Sequence, residues 1–431
     1  MKKYFLVVAS FFIYSHISLG QVYPGQMDST FVPVRSHHYD PELTFDFCVN
    51  EPAWSNQAGI HSAFGSTDRL YFRKEVPVNH DNDLSSSYST TVWRGERANA
   101  QILVWSSEAL EQVRVSTQDL RSAEGNIIPK DRITFELVRY VLSNYPYAEK
   151  KAICGESPYK SGFLMPDRFE TLDRFDLPSQ TTRPVWMLVD VPRGTAPGTY
   201  KGQVEVRAKG KAPQLLNLEI VVQNQLLPYP KDWKYRLDLW QNPWAVAWYN
   251  HVEPWSPEHK MLLKQHLKHY ADAGGTYITT YGVHSPWSDN SYMIEGGMIE
   301  WIKKADGTWA FDYKIFDEYV ELAMECGIDE AITLYTPIPW GFRHRYKDEA
   351  TGDYSYINWA PSSEEFKKMW NIFLTDFKFH LEAKSWLDIT YIGINENPME
   401  ETLAAINVVR NHDKCWKITY AGNWHKELDG L

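Results

Sequence analysis

One dipeptide carries the most specific chemistry in this chain. Asn395 and Glu396 follow the apolar stretch Tyr391–Ile394 (YIGI) and precede Asn397-Pro398, which reads as the cap and first residue of a helix. A carboxylic acid in that position can protonate a leaving oxygen, the step that opens a glycosidic bond. Aromatic walls would remove water from Glu396 and raise its pKa, as an acid requires, whereas the N-terminus of the following helix would favour the charged form. The spacing alone equally allows a glutamate that merely interacts with that helix end.

The elements that position this pair can be read from the pattern around it. Five apolar stretches alternate with amphipathic ones: Tyr235–Leu239, Thr276–Tyr281, Ala331–Thr336, Ile389–Ile394 and Trp416–Tyr420. The first intervening helix opens at Ser256-Pro257-Glu258, shows Leu263, Leu267 and Tyr270 at helical spacing, and stops at Gly274-Gly275. The second runs from Tyr313 to Glu325, capped by Asp312 and stopped by Gly327. The third starts at Ser362 or Ser363, with Ser362 and Glu365 in capping-box spacing and Phe366, Trp370, Phe373 and Phe377 as its apolar stripe. The fourth is capped by Asn397 and turns Met399, Leu403 and Ile406 inward. With no Gly-rich dinucleotide loop after the first strand, this series fits a (β/α)8-type barrel better than an open sheet. The series breaks off at Leu431, so the expected barrel is incomplete in this chain and the reading frame is expected to continue; a smaller half-barrel is the alternative. Open sheet edges would then leave the isolated chain poorly stable.

In such barrels the strands' carboxyl ends form the site. The first strand delivers Asp238, Trp240, Gln241, Asn242 and Trp244, and the second Tyr281, His284 and Trp287. Tyr335 and Trp340 follow from the third, and Tyr420, Asn423, Trp424 and His425 from the fifth. Flat aromatic faces beside fixed polar groups suit sugar rings, whose C–H faces stack while their hydroxyls seek hydrogen bonds. His284 and His425 would orient a hydroxyl or be plain loop histidines; Asp238 would bind a hydroxyl or fasten its own loop.

Upstream, Arg132–Val141, Arg183–Val191, Tyr200–Ala208 and Leu215–Val222 read as strands separated by turn clusters, with Asn79–Ser87 a polar loop. Strands without intervening helices indicate a β-sandwich. The Pro-containing stretch Leu227–Trp233 is the linker, which gives a signal segment at 1–20, a β-sandwich at 21–228 and a partial barrel at 229–431.

Bulk properties agree. The 431 residues exceed one core at roughly 100–200 residues per domain. Eighteen Trp and 26 Tyr raise the expectation of a carbohydrate ligand. A net charge of −11, with no basic run after Lys2 and Lys3, argues against nucleic acid or an anionic membrane as partner. Lys2 and Lys3 precede the apolar run Tyr4–Ile17, and Ser18 and Gly20 supply a small-residue cleavage site, so an export signal cut near Gln21 is expected. That run is shorter than the ~20 residues of a spanning helix, which disfavours a membrane anchor, and no later segment is apolar enough to span. Export points to a periplasmic or extracellular location. Cys48, Cys154, Cys326 and Cys415 form no CxxC pair; export permits disulfides without the spacing demanding them, and they read as mostly buried free thiols. With no HExxH, phosphate loop or Ser-His-Asp elbow, no metal or cofactor is expected.

Asp238–Ser256 (DLWQNPWAVAWYNHVEPWS), Met298–Tyr313 (MIEWIKKADGTWAFDY) and Tyr391–His425 resemble the catalytic domain of glycoside hydrolase family 123. Trp93–Gln101 and Arg183–Gly202 resemble the β-sandwich that precedes that domain. The resemblance covers nearly all of the chain after the signal segment. It implies an exo-acting β-N-acetylgalactosaminidase in which the substrate's own 2-acetamido oxygen attacks the anomeric carbon. An Asp of an Asp-Glu pair orients the acetamide N–H, and the Glu is the general acid/base. Carried over, Glu396 matches the acid, while Asn395 stands where the family has Asp: the family pattern resembles Asp-Glu-Arg-Pro, and this chain reads Asn395-Glu396-Asn397-Pro398. An amide carbonyl still accepts the N–H but brings no charge. The endo-acting family 85 enzymes are similar in pairing Asn with the acid. Asn-Glu after the fourth strand also resembles clan A retaining glycosidases, where Asn binds the 2-hydroxyl and a second carboxylate follows the seventh strand. A non-catalytic sugar-binding relative is the third reading. The family's further C-terminal β-domain has no counterpart in these 431 residues.

Overall fold

The computed structural model describes residues 27–28, 31–33, 42–43, 51–78, 84–143, 163–235, 237–287 and 296–430. The expected signal segment, Cys48, Cys154 and part of the polar loop lie outside these residues. The chain divides into two compact units, 1–227 and 228–431.

The first unit is built of strands. Its main path runs through β1 (His61–Gly65), β2 (Ser87–Arg94), β3 (Arg97–Ser106), β4 (Leu110–Thr117), β5 (Ile133–Ser143), β6 (Phe163–Leu177), β7 (Thr181–Asp190), β8 (Gly198–Arg207) and β9 (Gln214–Leu226). They pair in the order β1-β3-β7-β5-β6-β4-β8-β9-β2. The 15-residue β6 belongs to both halves of this path: Phe163–Thr171 pairs with β5, and Phe175 and Leu177 pair with β4. Alternation does the sorting, since Val204 and Val206 are buried while Glu205 and Arg207 turn outward. Val185, Met187 and Val189 of β7 share one core with Val204, Leu218 and Ile220. All four strands expected from the sequence are present.

The second unit holds the βα series. It contains α1 (Pro243–Tyr249), α2 (Pro257–Asp272), β10 (Tyr277–Tyr281), β11 (Glu300–Lys303), β12 (Trp309–Asp312), α3 (Lys314–Glu325) and β13 (Ala331–Tyr335). These are followed by β14 (Arg343–Asp348), β15 (Tyr354–Asn358), α4 (Glu364–Lys384), β16 (Thr390–Asn395), α5 (Met399–His412) and β17 (Lys417–Ala421). Strands β10, β13, β16 and β17 are parallel neighbours in chain order, as in a (β/α)8-type barrel. The expected first strand is reduced to one parallel bridge, Leu237 to Gly275. Its flanks Tyr235 and Leu239 are exposed and contribute no apolar side to hold a longer ladder.

Two elements were not legible. Helix α1 is seven residues long, with Asn242 as its cap and Pro243 at its first position. A second four-stranded sheet, in the order β12-β11-β14-β15, is inserted among the βα units. Its inner side is aromatic: Trp301 stacks on Phe373 of α4 at 4.8 Å, and His344 lies 4.8 Å from Trp359. The caps also shift. Ser363, not Ser362, receives the Phe366 N–H, so the capping box is not used. Asn397 does not cap α5 with its side chain; its Nδ2 donates to the Ile338 carbonyl at 3.0 Å. The buried face of α5 is Thr402, Ala405, Ile406, Val408 and Val409, so Met399 and Leu403 are only partly covered. Among the described cysteines, Cys326 is buried and free as expected, whereas Cys415 is free but exposed.

His344 gives a prediction. It is fully buried, its Nδ1 meets the Phe342 carbonyl at 3.1 Å, and its Nε2 accepts from Trp370 Nε1–H at 3.2 Å. Burial pushes its pKa from 6.5 down to about 4. Between those values the unfolded chain binds a proton that the folded imidazole refuses, so stability falls as pH drops from about 6.5 towards about 4. Urea denaturation at both ends of that window should show a smaller loss for His344→Gln than for the wild type; equal losses would contradict this.

Candidate active site

The carboxyl ends of the parallel strands surround a cleft of about 600 Å³. Asp238, Trp240, Gln241 and Asn242 line it from the first strand end, Tyr281 and Trp287 from the second, and Trp340 from the third. Asn395 and Glu396 line it from the fourth, and Ala421 and Gly422 from the fifth.

The aromatic wall is tightly interlocked. Trp240 and Trp287 have ring centroids 4.7 Å apart, and Trp240 meets Tyr335 edge-on at 5.0 Å. Trp240 Nε1–H donates to the Tyr335 hydroxyl at 3.2 Å. Trp287 and Tyr335 are almost wholly buried, while Trp240 and Trp340 keep exposed faces toward solvent. Gln241 braces the first loop: its Oε1 accepts from Thr279 N–H at 3.0 Å, and its carbonyl accepts from the Tyr281 hydroxyl at 3.0 Å. Gly393 explains how Tyr335 comes so close to the strand that carries Asn395. A Cβ at that glycine would stand 3.0 Å from the Tyr335 ring.

Asn395 is only 2% exposed and its orientation is fixed. Trp287 Nε1–H donates to Asn395 Oδ1 at 3.1 Å. An indole nitrogen only donates, so the atom facing it must be the oxygen. Asn395 Nδ2 is left buried without a partner among the described residues. The backbone N–H of Asn395 donates to Thr336 Oγ1 at 3.2 Å, which ties β16 to the end of β13. Glu396 departs from expectation. It is exposed rather than enclosed, and its Oε1 accepts from Asn423 Nδ2 at 2.9 Å. Asn423 thus reaches the acid from the fifth strand end. Tyr420 lies nearby; burial first, then the Glu396 charge, raises its pKa, and its hydroxyl has no partner among the described residues.

Asp238 stands at the rim, where partial burial raises its carboxyl above the ordinary value. Its charge adds to burial in raising Tyr335, which places the two close together. Asn242 spends its Oδ1 on the Ala245 N–H as the helix cap, although it still borders the cleft. Other expected contacts fall elsewhere. Trp244 is buried in the core against Tyr281 and Trp255 because α1 turns it inward. His284 does not line the cleft; burial, then the charges of Arg345 and Arg343, hold its imidazole down to about 4. His425 lies past the strand end, half-buried and outside the lining. Gln241 and Tyr281, read at the first and second strand ends, line the cleft as expected. Among the described residues no three His, Cys, Asp or Glu converge as a metal site, and no helix is long and apolar enough to cross a membrane.

Residues 240–431 match the family model of the glycoside hydrolase 123 catalytic domain, and residues 64–208 match that of the glycoside hydrolase 123 N-terminal domain. The chain belongs to glycoside hydrolase family 123. A solved family 123 glycoside hydrolase from Clostridium perfringens, described for glycolipid glycan hydrolysis, is 27% identical, with a TM-score of 0.75 over 86% of this chain. This chain spans 66% of that structure's length. A family 39 glycoside hydrolase from Bacteroides cellulosilyticus is 13% identical, covering 73% of this chain and 50% of its own, with a TM-score of 0.24. A Bacteroides ovatus family 5 xyloglucanase is 10% identical, covering 78% and 63%, with a TM-score of 0.21. No curated protein sequence matches the chain. In this family 123 chain the β-sandwich and the barrel-type unit expected from the sequence are both present.

Proposed function

We propose that this chain is an exported glycoside hydrolase that removes a terminal β-linked N-acetylhexosamine, with Glu396 as the proton donor. The observation that carries the reading is the carboxylate of Glu396 lining, with the aromatic wall of Trp240, Trp287 and Trp340 and with Asp238 at the rim, a cleft of sugar-ring size. The substrate's acetamide oxygen attacks the anomeric carbon as the glycosidic bond breaks, and Glu396 gives its proton to the departing oxygen. Water then opens the bicyclic intermediate, returning a proton to Glu396. Asn395 Oδ1 has one lone pair left after Trp287 and accepts the acetamide N–H with it. Lys2, Lys3 and the apolar run after them support export. Hydrolysis of aryl β-N-acetylgalactosaminide, with little on the matching galactoside, is the expected result; the reverse preference would overturn the acetamide route.

One observation favours a second reading. The partnerless Nδ2 of Asn395 is a donor, and a donor suits a 2-hydroxyl oxygen better than an acetamide N–H. Asn395→Asp separates the two. With an acetamide substrate, a charge-assisted bond replaces a neutral one and kcat/KM should rise by about five- to tenfold. If the donor is what matters, the same change should lower it.

A further inference from the structure

Beside the cleft, the β14–β15 hairpin turns an unusual face to solvent. Its register pairs Arg343 with Asn358, Arg345 with Tyr356 and Lys347 with Tyr354. Directly paired residues of an antiparallel ladder share a face, so these six side chains lie on one side. The other side carries His344, which is buried in the aromatic core. Arg343 lies over the Tyr356 ring at 3.8 Å, and Arg345 over the Tyr354 ring at 4.1 Å. Held over a ring face, a guanidinium loses side-chain freedom while keeping N–H donors for a further partner. Glu300 is the opposing charge, 3.7 Å from Arg345 and accepting from the Tyr354 hydroxyl at 2.9 Å. Three cations therefore share this face with two carboxylates, Glu300 and its β12 neighbour Asp312, in a chain whose net charge is −11. Arg345 Nε is buried and has no partner among the described residues.

The face is continuous with the cleft. Trp340 lines the cleft three residues before Arg343, and its backbone N–H donates to the Pro286 carbonyl at 2.9 Å. Asn358 Nδ2 donates to the Gly341 carbonyl at 2.9 Å, which binds the hairpin to that same turn. Arg345 and Arg343 come close enough to His284 for their charge to act on it, so the cationic face reaches the loop that also carries Trp287.

We propose that Arg343, Arg345 and Lys347, framed by Tyr354 and Tyr356, form a subsite for an anionic group on the sugar attached to the leaving oxygen. The group is a carboxylate or a sulfate ester; both offer the paired oxygens that a guanidinium fork binds. The sugar that is cleaved occupies the cleft beside Glu396, so the residue next along the glycan is the one carried outward past Trp340. This subsite rests on the glycosidase reading of the cleft.

The test is binding to the full chain carrying Glu396→Gln, so that nothing turns over. Three disaccharides serve as probes: β-N-acetylgalactosaminyl glucuronide, its carboxyl-reduced neutral form, and that neutral form bearing an O-sulfate. Titration calorimetry at low salt should show an anionic probe bound about tenfold more tightly than the neutral one, as expected for one charged hydrogen-bonding pair. The advantage should shrink at high salt, where exposed charges are screened. The uronate and sulfate arms show which anion is preferred. Arg343→Gln with Arg345→Gln should collapse the anionic-to-neutral ratio towards one, and Arg→Lys at both positions should restore part of it. Equal affinity for all three probes, or a preference insensitive to salt in the parent chain, would overturn the subsite even if the double variant fails to fold. Hydrolysis of a neutral aryl glycoside by the unmutated chain is scored separately. Its absence counts against the glycosidase reading, and a missing anionic preference counts against the subsite.

Discussion

Glu396→Gln should lower kcat on an unactivated β-N-acetylhexosaminide by about 10²–10⁴, the usual contribution of a positioned general acid. Glutamine keeps an oxygen for the Asn423 Nδ2–H, so the side chain holds its place and only the transferable proton is lost. The loss should be smaller on a nitrophenyl glycoside, because a good leaving group needs less protonation. That contrast separates an acid from a binding residue, whose loss would raise KM on both substrates alike. Glu396 is exposed, so the melting temperature should hardly move. A wild-type rate on the unactivated sugar would remove the role assigned to Glu396.

Trp301→Ala should destabilise the second unit by about 3–5 kcal/mol, the range for truncating a buried aromatic. Trp301 is 2% exposed, stacks on Phe373 and sits edge-on to Phe311 at 5.0 Å. Its Nε1–H also donates to the Gly282 carbonyl at 2.9 Å. That second contact joins the inserted sheet to the end of β10, just before the loop bearing His284 and Trp287. Trp301→Phe keeps most of the packing and loses the hydrogen bond, so about 1–3 kcal/mol should go. If the contact holds the loop in place, Trp301→Phe should also weaken substrate binding. Urea denaturation reads the first effect and KM the second. A loss under 1 kcal/mol for the alanine variant would show that the inserted sheet is not anchored through this side chain.

The parts of this site that were legible in the sequence are those set by local chemistry. Ser256 accepts from His259 N–H as the expected cap, and Phe366, Trp370, Phe373 and Phe377 are all fully buried along α4. Strand ends then follow from strand order, and nine of the residues read there border one cleft: Asp238, Trp240, Gln241, Asn242, Tyr281, Trp287, Trp340, Asn395 and Glu396. The failures have physical causes. Strands β11 (EWIK), β14 (RHRYKD) and β15 (YSYIN) are short and carry charged or polar groups on their solvent side, so their alternation resembles a loop. Trp244 cannot be told from a rim aromatic by spacing, because the rotation of a seven-residue helix is set by packing against Tyr281. The exposure of Glu396 depends on how far the neighbouring loops rise, a tertiary property.

The contact between Trp287 and Asn395 has an evolutionary reading. An indole N–H donates equally well to an amide oxygen or a carboxylate oxygen, and the amide nitrogen of Asn395 touches nothing that would be lost. Asparagine and aspartate are therefore alike in shape in this socket, and the charged form differs by what it costs to bury. Their codons differ by a single nucleotide. A lineage can cross between the charged and the neutral form without repacking its scaffold, so selection at position 395 weighs the cost of a buried charge against what that charge does for the sugar.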